Sequence, residues 1–219
     1  MGLQLGSSSA RRHAQAAAFD NIGERYDQAF PHKEGQVAAG EWLTGQLARG
    51  ARVLDAGCGT GVPTARKLQE AGLSVTGTDI SAVMLALARQ NVPGADFRQL
   101  DLTETGPELG RFEAAVAFFS LLMLPRSDIP AVLARLRDVL VPGGLLAIGM
   151  VEADVDDVPI DFLGTPVRVT GYPRDELALI VETAGFEVLE IRDLSYAPVT
   201  TQAPPEVQLF LYCRRTAIT

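Results

Sequence analysis

Val53-Leu54-Asp55-Ala56-Gly57-Cys58-Gly59-Thr60-Gly61 decides the fold. The apolar run from Ala51 to Ala56 reads as a buried strand that carries an acid at its end and breaks at once into a tight glycine turn. A helix is expected to begin near Val62-Pro63, because proline is accepted early in a helix where no backbone donor is needed. Glycine at three alternate positions lets the backbone approach a ligand with no side chain between them. The free N–H groups of such a turn, with a helix N-terminus behind them, favour the negative end of a ligand, a carboxylate or a phosphate. The spacing is not the dinucleotide fingerprint G-x-G-x-x-G. Counting on from Gly57 and Gly59 puts Val62 where the third glycine belongs, which disfavours a nicotinamide dehydrogenase.

Outward from this stretch, strands and helices alternate. Gly35 to Leu47 is expected to be helical, with Ala39, Leu43 and Leu47 on one face. The helix after the glycine turn ends near Gly72, a plausible cap. Ser74 to Asp79 is a second strand. An acid at the end of this strand in nucleotide-binding α/β sheets accepts two ribose hydroxyls, which makes Asp79 a ligand candidate; Ser81 is better placed to cap the next helix, Ser81 to Asn91. Ala95 to Leu100 and Phe112 to Phe118 are further strands, and Asp128 to Leu140 is an amphipathic helix. Val141-Pro142-Gly143-Gly144 is a turn into an apolar strand, Leu145 to Met150. Phe162 to Val169 suggests a hairpin, Pro173 to Ala184 a helix, and Phe186 to Ile191 and Val207 to Cys213 the final strands. The alternation indicates one α/β domain with a mainly parallel sheet covered on both faces.

Composition narrows the function. A length of 219 residues suits one domain with a full core, and a net charge of -8 disfavours a nucleic-acid partner. The pairs Arg11-Arg12 and Arg214-Arg215 read as solvated termini. Cys58 and Cys213 lack metal-ligand spacing, so no metal is expected, and a reduced, cytoplasmic protein is the better reading than a disulfide-bonded one. No apolar run reaches the ~18 residues of a membrane span. The start lacks a signal-peptide core, and Gly6 stands where a myristoylation signal needs Ser or Thr.

The pattern D-x-G-x-G-x-G over Asp55 to Gly61, followed in order by Asp79, Asp101 and Pro142-Gly143-Gly144, resembles the class I S-adenosylmethionine-dependent methyltransferases. The resemblance covers about residues 19 to 215. It implies a Rossmann-like, doubly wound sheet of seven strands, the last antiparallel. It implies S-adenosyl-L-methionine as cofactor, with S-adenosyl-L-homocysteine as product. It implies a ligand cradle of Asp55, Gly57, Cys58, Gly59 and Gly61, with Asp79 and its neighbour Ile80 at the ribose. Met84, in a D-x-S-x-x-M pattern, would pack on the adenine. Asp101 would accept from the adenine amino group while the next backbone N–H, that of Leu102, donates to the ring. Tyr26 would cover the methionine part, and Phe118 would wall the site.

Many relatives carry a histidine where this chain has Met123, which removes one candidate base. The remaining candidates are His32, Glu152 and Asp157; His13 lies in the start of the chain and is set aside. The acidic run Glu152, Asp154, Asp156, Asp157 and Asp161 reads first as a solvated face, and would favour a cationic acceptor if it faced the pocket. The expected organisation is a mobile arm over residues 1–18, a lid and helix over 19–48, and an acceptor-site insertion over 151–172. The expected activity is methyl transfer by in-line displacement to a small-molecule acceptor in bacterial biosynthesis, by a monomer or homodimer. The alternatives are a non-catalytic module that binds an adenosyl ligand and a protein partner, with an exposed apolar patch on residues 151–172, and an enzyme that uses the same cofactor otherwise.

Overall fold

A computed structural model describes residues 4–197 and 205–217, with side chains from residue 10 onward. Seven strands form one sheet: β1 (Arg52–Ala56), β2 (Ser74–Asp79), β3 (Asp96–Gln99), β4 (Phe112–Phe118), β5 (Leu140–Val151), β8 (Phe186–Tyr196) and β9 (Glu206–Arg215). Their order is β3-β2-β1-β4-β5-β9-β8. Strands β1 to β5 pair in parallel, and β9 runs antiparallel to both neighbours. The order reverses between β1 and β4, and ligands of such sheets lie outside the strand ends at that point.

Alternation along the strands explains why both faces are buried. Leu54 and Ala56 of β1, with Ala115 and Ala117 of β4, join a core with Val132, Leu136, Leu177 and Val181. These last four belong to α6 (Ile129–Val139) and α7 (Arg174–Thr183). Val53, Ala114 and Val116 point the other way, into a core with Leu43, Leu68 and Leu85. That face is covered by α3 (Glu34–Thr44), α4 (Thr64–Glu70) and α5 (Ala82–Asn91). Pro142-Gly143-Gly144 leave the ladder between the pairs Phe112–Leu140 and Ala114–Leu145, so the expected turn is an excursion within β5.

Two pieces stand outside the sheet. The first is α1 (Gln4–Ile22), which continues through Gly23 toward α2 (Arg25–Ala29). It corrects the expectation of a mobile arm over residues 4–18; residues 1–3 lie outside the described part. The alanine-rich stretch Ala14 to Ala18 favours helix, and long-range polar contacts dock it. Asp20 Oδ1 accepts from Ser81 Oγ at 2.6 Å and from the Val83 N–H at 3.1 Å, so α1 adds an acceptor at the N-terminus of α5. Asn21 Nδ2 donates to Thr165 Oγ1 at 3.0 Å. Ala18 and Ile22 are buried.

The second piece is a hairpin of β6 (Val155–Phe162) and β7 (Thr165–Gly171), longer than the sequence indicated. Its two-residue turn, Leu163-Gly164, has both residues at positive φ, the geometry that matches the twist of paired strands. The acids before and within β6 are exposed at Asp154, Asp156 and Asp161, and the first two also meet an arginine. The Arg126 guanidinium pairs with Asp154 at 2.7 Å and donates to the Gly171 carbonyl, and the Arg126 N–H donates to Asp156 Oδ1.

Candidate active site

A cavity of about 320 Å³ opens at the carboxyl ends of the central strands, beneath α1, α2 and the β6–β7 hairpin. The glycine turn forms its floor, and each glycine has its own reason to be there. Gly57, at φ +81°, is pressed against the β4 end: an added Cβ would lie 2.3 Å from the Ser120 Cβ. Gly59, at φ +53°, opens to empty space, so any side chain there would project where a ligand must sit. Gly61 does not line the cavity; its missing Cβ makes room for Val92 and Ala88 of α5. Its expected place in the ligand cradle is therefore corrected to a packing role.

The turn is not an anion cradle either. The Gly57 and Cys58 N–H groups both donate to the Thr78 carbonyl, at 2.8 and 2.9 Å, and the Gly61 N–H donates to the Cys58 carbonyl. The Gly59 N–H is taken by Asp79 Oδ2 at 2.9 Å, while Asp79 Oδ1 accepts from the Ser81 N–H at 2.9 Å. These bonds fix the Asp79 carboxylate at the end of β2. Each of its oxygens keeps a second lone pair.

Asp55 is the more unusual acid. It lies at the end of β1, is 2% exposed, and its Oδ2 is buried without a hydrogen-bond partner. Burial, reinforced by the Asp79 charge, pushes its pKa up to about 7. Burial also raises Asp79, opposed by its backbone donors. Two neighbouring acids with spare acceptor capacity, Asp55 buried and Asp79 half-buried, fit a ligand that brings hydroxyl and ammonium donors, not one that brings a phosphate. Burial raises the Cys58 thiol as well, with the Asp55 charge adding to it. Both cysteines are free.

Ile80, Met84, Asp101, Leu102 and Phe118 line the same cavity. Asp101 Oδ1 already accepts from the Thr103 N–H and hydroxyl, at 2.8 and 2.7 Å, while its Oδ2 lies 3.4 Å from Arg12 Nε. Tyr26 lies against the rings of Phe19, Phe30 and Phe162, and the Lys33 ammonium sits over its face at 5.2 Å. Burial, followed by the charges of Asp27 and Asp79, raises its phenol well above the usual range.

The candidate bases fare differently. His32 lines the rim, largely exposed, 3.4 Å from Glu34. Glu152 lies off the cavity. Its carboxylate accepts from Arg174 Nε and Nη2 at 2.8 and 2.7 Å, and that pairing holds its pKa below the usual carboxylate range. Asp157 is also outside the lining and is shared by the guanidiniums of Arg11 and Arg168. Neither of these two expected catalytic candidates lines the cavity, and each is ion-paired to arginine.

Sequence reasoning missed Arg11 and Arg12, which line the cavity instead of fraying into solvent. The Arg11 guanidinium donates to the Met123 carbonyl at 3.2 Å, and the Gln15 amide contacts the Met123 sulfur. Arg215, of the other pair, is buried and donates to the Leu140 carbonyl. The cavity aromatics Phe30, Phe162 and Tyr196, stacked in a column at 5.5 and 6.0 Å, come from three separate segments and carried no sequence signal. Among the described residues, no group of His, Cys, Asp and Glu is placed to hold a metal ion.

A family model described as a methyltransferase domain matches residues 53–144, the span that supplies the glycine turn, Asp79 and Asp101. Over those residues the chain is a methyltransferase domain of the class I, S-adenosylmethionine-dependent kind. The methyltransferase GfsG of Streptomyces halstedii is 31% identical over 175 residues, 72% of this chain and 62% of its own length. The malonyl-[acyl-carrier protein] O-methyltransferase of Serratia marcescens is 32% identical over 67% of this chain and 56% of its own. The chain thus spans about three-fifths of the length of these curated relatives. Among solved structures, a DhpI–SAH complex superposes with a TM-score of 0.74 at 23% identity, over 95% of this chain and 98% of that chain, a likeness of fold.

Proposed function

We propose that this chain binds S-adenosylmethionine and transfers its methyl group to a small-molecule acceptor by in-line displacement. The observation that carries the reading is the pair of acids at neighbouring strand ends, Asp55 buried and Asp79 half-buried, beside the open face of Gly59. Asp79 would accept the ribose hydroxyls on its spare lone pairs, and Asp55 Oδ2 would take an N–H of the ligand ammonium. Asp101 and Leu102 would meet the adenine edge, with Met84 packed on the ring, Tyr26 covering the methionine part and Phe118 walling the site. S-adenosylmethionine supplies a methyl group already activated by the sulfonium charge.

The chain's own part is then to hold the acceptor in line and keep water out. Positioning of this kind contributes up to roughly 7–11 kcal/mol in model reactions, so a dedicated base is not required. Helix α1 and the hairpin roof the cavity and provide the exclusion. The net charge of -8 supports an acceptor that is not a nucleic acid. Among the described residues, no helix is long and apolar enough to cross a membrane. The bacterial relatives support a biosynthetic setting, which we place in the cytoplasm, with the chain a monomer or homodimer. The binding-module alternative needs an exposed apolar patch on residues 151–172. Of the described residues there, the large apolar side chain that is exposed is Ile160, and it lines the cavity.

Calorimetric titration with S-adenosylhomocysteine, with NAD in parallel, tests the reading. Micromolar binding of the first and none of the second is expected. Binding of NAD instead would overturn it.

A further inference from the structure

The part of the cavity away from Asp55 and Asp79 has a different chemistry. Its walls are Leu122, Met123, Val151, Val155, Phe162 and Val169, all apolar. Into this lining α1 brings Arg11, whose side chain is four-fifths buried and whose Nε is buried without a hydrogen-bond partner. The partner of Arg11, Asp157, is shared with Arg168, so two guanidiniums stand on one carboxylate. Asp128 is the other carboxylate on this side, and it accepts from the Ser127 hydroxyl at 3.0 Å. Glu206 lines the far end, beside Tyr196, and accepts from the Gln208 amide.

The candidate bases read from the sequence do not serve this half. His32 is at the exposed rim beside Glu34, Glu152 is bound by Arg174, and the Tyr26 and Tyr196 phenols are both raised by burial and keep their protons. An alcohol or phenol would have to give its proton to Asp128 or Glu206, carboxylates that each already accept a hydrogen bond. An ammonium would have to lose a proton and would meet a guanidinium. A carboxylate is already ionised at neutral pH and pairs with a guanidinium through two parallel hydrogen bonds.

We propose that the acceptor is a carboxylate on a hydrophobic body, anchored by Arg11 beneath the β6–β7 hairpin, and that the product is its methyl ester. The inference rests on the methyl-transfer reading above and deepens it. A carboxylate oxygen forms a bond to the methyl carbon, the carbon–sulfur bond breaks, and its electron pair stays on sulfur. Anion and sulfonium become neutral ester and neutral thioether, and no proton is released. Arg11 is a binding residue for the acceptor's second oxygen, which it holds through the transfer.

The test titrates the 219-residue chain, saturated with S-adenosylhomocysteine, with 3-phenylpropanoate and decanoate and with the alcohols and amines of the same skeletons. At least one carboxylate should bind tenfold or more tightly than its alcohol and amine. Arg11→Gln should remove that preference while S-adenosylhomocysteine affinity stays within twofold, and Arg11→Lys, which keeps the charge, should restore part of it. Label carried over from S-adenosylmethionine should come off the product as methanol in mild alkali, as an ester's does and an ether's or amine's does not. No preference for either carboxylate, or a preference untouched by Arg11→Gln, overturns the proposal. Failure to bind S-adenosylhomocysteine would instead refute the cofactor reading, so the two failures are told apart in one experiment.

Discussion

Asp55→Asn separates the stability of the empty protein from its capacity to bind. Burial and the nearby Asp79 move the Asp55 pKa from 3.8 to about 7. Each tenfold change in proton affinity is worth about 1.4 kcal/mol, so the ionised form destabilises the fold by up to about 4 kcal/mol. The sign follows from proton counting. The folded chain holds this proton more tightly than the unfolded chain does. Stability attributable to Asp55 is therefore highest below about pH 4, falls as pH rises toward 7, and is flat above that.

Asparagine cannot ionise and removes the slope. Its amide brings a buried donor of its own, which offsets part of the gain by about 1–2 kcal/mol. The expected result is a variant about 2–3 kcal/mol more stable than the parent at pH 8, with the difference shrinking to zero or reversing at pH 5. Urea denaturation of both proteins at the two pH values, without ligand, measures it. In parallel, S-adenosylhomocysteine affinity should rise between pH 6 and 8 in the parent, as Asp55 loses its proton to meet the ligand ammonium, and should be weak and flat in the variant. Stability curves that stay parallel from pH 5 to 8 would refute the assignment of a raised, uncompensated carboxylate.

The glycine turn gives a second, internal comparison. Gly57→Ala should destabilise the chain by about 2–4 kcal/mol, from the left-handed backbone and the Cβ driven onto Ser120. Gly59→Ala should cost about 1–2 kcal/mol of stability and abolish ligand binding, since its Cβ enters open cavity; circular-dichroism melts and calorimetry on the pair decide. Asp79→Ala should weaken S-adenosylhomocysteine by about 1.5–3 kcal/mol if the carboxylate holds the ribose hydroxyls, and normal affinity would remove it from the site. Glu152→Gln should leave acceptor KM unchanged and shift stability by less than about 1 kcal/mol, because its Arg174 pair is partly exposed and off the cavity. A large rise in KM would return it to the candidate bases.

What was legible in the sequence was what short-range physics determines. β1, its acid and the turn lie within ten residues, and strand alternation marks both buried faces, so the sheet and the position of Asp79 could be read in advance. The reading of the turn as an anion site was not sound. It counted free N–H groups locally, while Thr78 O and Asp79 Oδ2, about twenty residues on, take them. Glu152 and Asp157 were candidates because acids were counted without their partners. The Asp157–Arg168 pair spans a hairpin whose turn the sequence does mark, so that correction was within reach. Arg11 was not, because its contact with Met123 joins positions 112 apart and exists only once α1 has docked.

That division has a chemical counterpart. The proposed adenosyl half is made at the ends of β1 and β2, where Asp55 and Asp79 lie, and its charge is negative. The proposed acceptor half is made by α1 and the hairpin, two elements that add nothing to the sheet, and the charge α1 brings inward there is that of Arg11. A sulfonium donor and an anionic acceptor held in such halves attract each other before reaction and are both neutral after it. The same arrangement therefore draws the reactants together and loosens its hold on the products. Because the acceptor half depends on docking at Asp20, Asn21 and Arg11 and not on the sheet, substitutions there can change the acceptor while leaving the adenosyl cradle intact.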